Sequence, residues 1–278
     1  MKEYKQYLNG KYVNESELLI SPRDLGFTRS YAVFDYIRTY NGKPFKLIDH
    51  IERLIESSKL IKIEHSYTVA EIENVVLNLL EINNDGLEKS IKIIMSGGVS
   101  NSMYQTSSAT LVIYIDPFKP KNPDIYTKGV RLKSIKYTRD VPESKNTNYL
   151  EGVMQAQVNK DTDIYEPLYF SDSQVFETSN SNIFVVKDNV IYTPKNNIFL
   201  GAARGVVVND LKNKFQIIEQ DFDLNFLLNA DEVFLTSSGK EVVSVVCVDD
   251  IIIGDGKVGV VGELVLKEFR DFVNVSNF

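Results

Sequence analysis

The first 115 residues alternate between strand-like and helix-like patterns of apolar and polar positions. In FTRSYAVFDY, residues 27–36, Tyr31, Val33, Phe34 and Tyr36 form an aromatic, β-branched run that reads as a strand, with Arg29 at its mouth and Arg23 and Asp24 just upstream. Asn9-Gly10 in YLNGKYV and Asn41-Gly42 in IRTYNGKPF are two-residue turn pairs that tolerate positive φ, so strands are expected on both sides of each. LIDHIERLIESSKLI places Ile48, Ile51, Leu54 and Ile55 at helical spacing, with Asp49 able to cap. TVAEIENVVLNLLEI opens on Thr68-x-x-Glu71, a capping box, and carries Ile72, Val75, Val76 and Leu79 as an apolar stripe. SIKIIM and ATLVIYI predict strands near 90–95 and 109–115, with the two helices expected over one face of their sheet.

DPFKPKNPD, residues 116–124, puts three prolines into nine residues, which no long helix or central strand survives. It reads as a linker over 117–127, between a small N-terminal domain, 1–116, and a larger one, 128–278. The second part is richer in short strands: GVRLKSIKY, EPLYFSD, NIFVVKDNVIYTP, ADEVFLTSS and EVVSVVCVDD, with Asp188-Asn189 as another hairpin turn. Helices are expected at 148–159, 203–213 and 261–273. Hairpins mixed with helices indicate an α+β, or mixed α/β, fold rather than a simple βαβ alternation.

Length favours two domains. The net charge of −7 and scattered lysines argue against a nucleic-acid partner, which needs a basic face. Cys247 is the single cysteine, so no internal disulfide forms, and its valine neighbours suggest a buried, inert strand thiol. With only His50 and His65, a multi-histidine metal site is not expected and a Ser-His-Asp hydrolase is poorly supported. The polar N-terminus has no apolar signal core and no window approaches a membrane span, so a soluble cytoplasmic protein is the expectation.

Lys145, in VPESKNTNYLEG, follows a strand and precedes a helix, and a lysine there can point into a cleft and form a Schiff base with a carbonyl. Alone, as one of many lysines, it reads as a solvated loop residue. Its company is more informative. Glu177 lies at a strand-turn boundary in VFETSNSNIFVV, before an unusually polar turn, Thr178 to Asn182. Gly201, Ala202 and Ala203 precede a helix, whose free N–H groups suit a phosphate, and Thr236, Ser237 and Ser238 lie at a strand end. Arg53 sits on the first helix, where it could bind an anion or merely pair with Asp49. One amine, one carboxylate, one arginine and two small-residue anion loops suit pyridoxal phosphate, which needs a partner for its aldehyde, its ring nitrogen and its phosphate.

Taken together, VFDYIRTYNGKPFKLIDHIERL, ESKNTNYLEGVMQAQ, FETSNSNIFVVKDNVIYTP, GAARGVVV and ADEVFLTSSGKEVVSV resemble, in order and spacing, the class IV (fold-type IV) pyridoxal-phosphate aminotransferases, over about residues 8–273. The resemblance implies a two-domain architecture: a smaller N-terminal sheet-plus-helices domain and a larger C-terminal one with a strand-rich pseudo-barrel. It implies that Lys145 binds the cofactor covalently and shuttles the proton, that Glu177 pairs with the pyridine nitrogen, that Arg53 holds the phosphate and that Tyr149 bonds the ring hydroxyl. The Ala202-Ala203 helix start, with Ser237 and Ser238, matches the remaining phosphate donors. The family often has Ile-Thr where this chain has Ala202-Ala203, so one hydroxyl is lost while the backbone N–H groups remain.

Near residue 29 the commoner family pattern has a tyrosine. Thr28-Arg29-Ser30-Tyr31-Ala32-Val33-Phe34-Asp35 instead resembles a less typical subgroup of D-amino-acid aminotransferases, in which an arginine binds the substrate carboxylate. In the family this segment reaches the neighbouring subunit, which implies a homodimer. Tyr31, Arg38 and Lys92 are the other substrate-site candidates; Arg38 is equally readable as structural. SGGVSNS, 96–102, is either a loop over the pocket or a flexible turn. The expected reaction is amino transfer between a D-amino acid, such as D-alanine or D-glutamate, and 2-oxoglutarate or pyruvate. A branched-chain L-aminotransferase, an aminodeoxychorismate lyase and a non-catalytic cofactor-sequestering or regulatory protein are the rivals.

Overall fold

A computed structural model describes residues 3–106 and 108–275. The chain divides into two compact units: residues up to Lys119 with Glu143–Asn148, and Pro120–Pro142 with the chain from Tyr149 onward. The division falls within the proline-rich stretch, but Lys145 packs with the N-terminal unit although it follows that stretch in sequence.

The N-terminal unit comprises β1 (Lys5–Leu8), β2 (Lys11–Asn14), α1 (Leu25–Arg29), β3 (Ala32–Tyr40), β4 (Lys43–Pro44), α2 (Leu47–Leu60), α3 (Val69–Ile82), β5 (Lys89–Ser96) and β6 (Thr110–Pro117). Its sheet runs β2-β1-β6-β5-β3-β4. Positive φ at Asn9, Gly10, Asn41 and Gly42 makes the two tight turns that the Asn-Gly pairs predict. β3 and β5 alternate strictly along most of their length. Val33, Ile37, Ile91, Ile93 and Met95 bury against Ile51 and Leu54 of α2 and Ile72, Val76 and Leu79 of α3, so both helices share one face. The Thr68–Glu71 capping box forms. Asp49 does not cap α2; the helix starts earlier, with Lys46 before it in the left-handed region, and Asp49 sits in the first turn 3.7 Å from the Lys46 ammonium.

The C-terminal unit comprises α4 (Asp124–Thr127), β7 (Val130–Lys136), α5 (Leu150–Val158), β8 (Ile164–Phe170), β9 (Val175–Thr178), β10 (Asn182–Lys187), β11 (Val190–Thr193), α6 (Ala202–Gly205), β12 (Ile217–Glu219), α7 (Leu224–Leu228), β13 (Glu232–Ser237), β14 (Glu241–Val248), β15 (Ile251–Ile252) and α8 (Val260–Val275). The sheet follows β12-β11-β10-β13-β14-β7-β8-β9, with β15 beside β14, and β9 comes back against β10, curling the sheet on itself. Leu132, Leu168, Ile183, Val185, Val233, Leu235, Val243 and Val245 fill the inside of the curl. The helix expected over 203–213 begins at Ala202 and widens after Gly205 into a π-type turn, Val206–Asp210. Cys247 is buried, and burial pushes its thiol pKa up, as an inert strand thiol requires.

Candidate active site

In the N-terminal unit, residues around Lys145 extend the sheet. The Phe34 N–H donates to the Lys145 carbonyl and the Thr147 N–H to the Ala32 carbonyl, both at 2.9 Å, so this segment runs along the free edge of β3. Helix α2 holds its other side: the Lys145 N–H donates to Ser57 Oγ at 3.1 Å, and Ser144 Oγ donates to the Ser57 carbonyl at 3.2 Å. The Lys145 ammonium lies 5.0 Å from the centroid of the Phe34 ring. The Lys92 ammonium also lies 5.0 Å from that centroid, reaching it from β5, where Lys92 pairs with Tyr36. Burial, and then the charge of Lys145, lowers the Lys92 pKa. Among the described residues no carboxylate pairs with Lys92.

Asp35 points to the other side of β3, into the core, and is fully buried. It is met by α2, whose His50, Arg53 and Ser57 recur at i, i+3 and i+7, one helix face. Arg53 Nε donates to Asp35 Oδ2 at 2.6 Å and Nη2 to Oδ1 at 2.7 Å. His50 Nδ1 is 2.8 Å from Asp35 Oδ1 and 2.9 Å from Arg53 Nη2; since the ionised Asp35 carboxylate only accepts, Nδ1–H donating to Asp35 is the tautomer that fits, and Arg53 Nη2 then gives its hydrogen bond to Asp35 rather than to the ring. Burial alone would raise the Asp35 pKa, but Arg53 and His50 outweigh it and hold the carboxyl well below the usual range. Burial lowers the pKa of His50, reinforced by Arg53, so the imidazole is neutral. Arg53 therefore pairs with Asp35 rather than with Asp49, because a buried carboxylate cannot go uncompensated. Asp35 takes two of the five guanidinium donors.

Arg29 ends the short helix α1, which Asp24 caps and Ser30 stops at φ +53°. Its side chain is exposed and Nη1 donates to the Thr28 carbonyl at 2.6 Å. Tyr31 precedes β3; its hydroxyl donates to the Lys62 carbonyl at 2.8 Å. Its ring lies over Gly97, where a Cβ would come within 2.3 Å of Cδ1, so any side chain there would push the Tyr31 ring aside. Arg38, near the far end of β3, stacks between Tyr40 and Phe118, 3.9 Å from each centroid, which accounts for its charge as a packing feature. The 96–102 stretch is tied to the α1 region: the Leu25 N–H donates to the Gly98 carbonyl, the Ser100 N–H to the Arg23 carbonyl and Arg23 Nη1 to Asn101 Oδ1.

In the C-terminal unit, Glu177 is buried at the end of β9. Oε1 accepts from Arg139 Nη1 at 2.9 Å; Oε2 accepts from the Phe199 N–H at 3.2 Å and Asn182 Nδ2 at 3.3 Å. Burial would lower the Arg139 pKa, but Glu177 outweighs it and raises it. The Arg139 guanidinium also lies 5.8 Å from the centroid of Tyr149, which directly precedes α5. Asn182 donates to the Phe199 carbonyl at 2.7 Å and accepts from the Gly201 N–H at 3.2 Å, so one amide joins Glu177 to the start of α6. A Cβ on Gly201 would meet Asn182 Oδ1 at 2.4 Å. Ala202 and Ala203 form the buried first turn of α6, whose N–H groups have no intrahelical acceptor. Ser237 and Ser238 are half-buried where β13 turns into β14.

These residues fit pyridoxal phosphate by their chemistry. The C-terminal unit offers a buried anion for a ring N–H, hydroxyls, and a helix start for a phosphate. The N-terminal unit offers a primary amine and a guanidinium. The sequence reading missed Arg139, gave Asn182 no role beyond the polar turn after Glu177, and treated Asp35 only as part of the motif around Arg29. No local pattern marks Arg139, and Asn182 figured only as the end of a polar turn; that His50, Arg53 and Ser57 share a face was open to a helical count.

Comparison with known proteins agrees with this chemistry. Residues 32–248 match the family described as amino-transferase class IV. The D-alanine aminotransferases of Staphylococcus haemolyticus and Staphylococcus aureus (strain N315) are 31% and 30% identical, over 97% of this chain and 98% of theirs. A provisionally named branched-chain-amino-acid aminotransferase of Methanocaldococcus jannaschii is 31% identical over 96% of each chain. In fold, the branched-chain aminotransferases of Thermoproteus uzoniensis (TM-score 0.89, 24% identity) and Escherichia coli (TM-score 0.87, 22% identity) superpose over 98% of this chain and 95% of theirs. The chain belongs to the class IV aminotransferases. It is a transaminase that depends on pyridoxal 5'-phosphate, as that family does.

Proposed function

We propose that the protein transfers the amino group of a D-amino acid, D-alanine or D-glutamate, to 2-oxoglutarate or pyruvate, and that it works as a cytoplasmic homodimer. The observation that carries the choice of enantiomer is the match to D-alanine aminotransferases over nearly the whole of both chains. The lone thiol, without a disulfide partner, supports a reducing compartment.

Pyridoxal phosphate, when bound, supplies an aldehyde for the amino group and a ring that accepts the electrons of the Cα–H bond. Lys145 holds the cofactor covalently and then, as a free amine, moves the proton at the substrate Cα. The support for this role is a backbone held from both sides, by β3 and by α2, which leaves only the side chain to move. Glu177 would keep the ring nitrogen protonated; its buried carboxylate, paired with Arg139, is the support. Tyr149 bonds the ring hydroxyl. Arg53, the N–H groups of Ala202 and Ala203, and the hydroxyls of Ser237 and Ser238 hold the phosphate. Arg29 and Tyr31 orient the substrate carboxylate, and Lys92, half-buried without a carboxylate of its own, supplies a second positive charge for an anionic substrate.

The test is a donor screen read at the cofactor absorbance band. D-alanine or D-glutamate should convert the band rapidly; rapid conversion by L-leucine alone would establish the branched-chain reading instead, and pyruvate release without an acceptor the lyase. Lys145→Ala should abolish turnover, by at least about a thousandfold, and leave no cofactor attached after borohydride reduction. A variant that keeps turnover would remove Lys145 from the mechanism.

A further inference from the structure

Outside the residues above, the C-terminal unit buries a second charged pair. Glu166 on β8 and Lys240 between β13 and β14 are both more than nine-tenths buried, and the Lys240 ammonium donates to Glu166 Oε1. The same ammonium donates to Asn180 Oδ1. The other carboxylate oxygen, Oε2, accepts from Thr178 Oγ1 and, at 3.1 Å, from Ser181 Oγ. One ion pair thus gathers three segments: β8, the polar turn between β9 and β10, and the turn between β13 and β14.

Each turn is closed within itself. The Thr178 N–H donates to the Ser181 carbonyl at 2.9 Å and the Ser181 N–H to Thr178 Oγ1 at 3.0 Å. The Lys240 N–H donates to the Ser237 carbonyl at 3.2 Å. The two turns are neighbours because β10 and β13 pair, with Asn182 opposite Thr236. Stability alone gives little reason for an ion pair here, since burying two charges recovers about what it costs and an apolar pair would serve as well. An apolar pair cannot supply directional bonds to Asn180, Thr178 and Ser181 at once.

We propose that Glu166 and Lys240 are positioning residues that set the spacing of the two turns, and through it the affinity of the C-terminal unit for the phosphorylated pyridine cofactor. The first turn begins directly after Glu177, and the second carries Ser237 and Ser238. The inference rests on the cofactor roles given to those residues under the proposed function. Neither Glu166 nor Lys240 touches the cofactor; they act through the turns they hold.

The experiment titrates apo-protein with pyridoxal 5'-phosphate, reading Kd from absorbance, and follows apo-protein unfolding in denaturant. Lys240→Met leaves Glu166 buried and unpaired and should lower both the unfolding midpoint and the affinity, the latter by about tenfold or more. The deciding variant is Glu166→Gln with Lys240→Met, which removes both charges. It should recover most of the unfolding midpoint while Kd stays about tenfold weaker than wild type, whereas Lys240→Arg, which keeps the charge, should recover affinity. A double variant with wild-type Kd would reduce the pair to a structural role and overturn the proposal. A wild-type protein that does not bind the cofactor in the same titration would instead overturn the cofactor roles on which the proposal rests.

Discussion

Asp35, His50 and Arg53 are fixed by regular elements, whereas Glu177, Arg139 and Asn182 are fixed by one another. In the N-terminal unit a helix lies on a sheet, and backbone geometry alone aims two side chains, His50 and Arg53, at one buried carboxylate. In the C-terminal unit Glu177 and Asn182 sit at the ends of β9 and β10, and side-chain hydrogen bonds join them to Arg139 and to the start of α6. A cluster built on a helix and a strand costs folding energy when it is broken. A network built on turns loses its geometry first and its fold second.

The comparison can be broken most severely at Asp35. Asp35→Asn removes the countercharge of Arg53 in a buried setting and should lower unfolding free energy by about 3–5 kcal/mol, read as a lower denaturant midpoint at unchanged slope. A loss under about 1 kcal/mol would mean that the helix and sheet hold Arg53 without it. Gly201→Ala tests the other unit. Its Cβ would displace the Asn182 amide, so a loss of about 1–3 kcal/mol is expected, with cofactor affinity falling in the same variant. Unchanged affinity would separate Asn182 from the start of α6.

The pH dependence sharpens the difference further. The His50 pKa lies below its ordinary 6.5, so the unfolded chain takes up a proton that the native imidazole refuses, and stability falls as pH drops below about 6.5. The limiting slope is about 1.4 kcal/mol per pH unit. His50→Gln should flatten the loss between pH 7.5 and 5.5. It should leave the decline below about pH 4, where Asp35, held ionised in the native state, is protonated more readily in the unfolded chain. An unchanged slope above pH 5 would mean that His50 takes up its proton as readily in the native state as in the unfolded chain. The smallest effect belongs to Thr68→Ala, which removes the capping box of α3 far from either polar group and should cost about 1 kcal/mol with no change in turnover.

Much of this was readable from residue patterns. The Asn-Gly and Asp-Asn pairs marked three hairpins, Thr68 and Glu71 marked a helix start, and the apolar runs around β3, β5 and β6 marked a sheet with both helices on one face. Lys145, Glu177 and the Gly201-Ala202-Ala203 turn stood out by residue type at strand and helix boundaries. Arg139, Asn182, Glu166 and Lys240 did not, because each draws its meaning from a partner distant in sequence. Lys240 reaches a carboxylate 74 residues away, and Arg139 one that is 38 residues away.

Period and turn chemistry are local, so the sequence by itself determined the strands, the helix faces, the hairpin turns and the set of residue types that a pyridine phosphate needs. The partners of the buried charges were decided only by the tertiary structure. Asp49 lies one helical turn from Arg53 and was the obvious local partner, yet Arg53 pairs with Asp35. Solvent screens and hydrates Asp49 on the helix surface, while Asp35 is sealed from water and must be compensated by whatever cation the fold brings to it. Lys145 follows the same logic: it comes after the proline-rich stretch in sequence, but the open edge of β3 recruits its backbone, because unpaired strand N–H and C=O groups need partners wherever the chain can supply them.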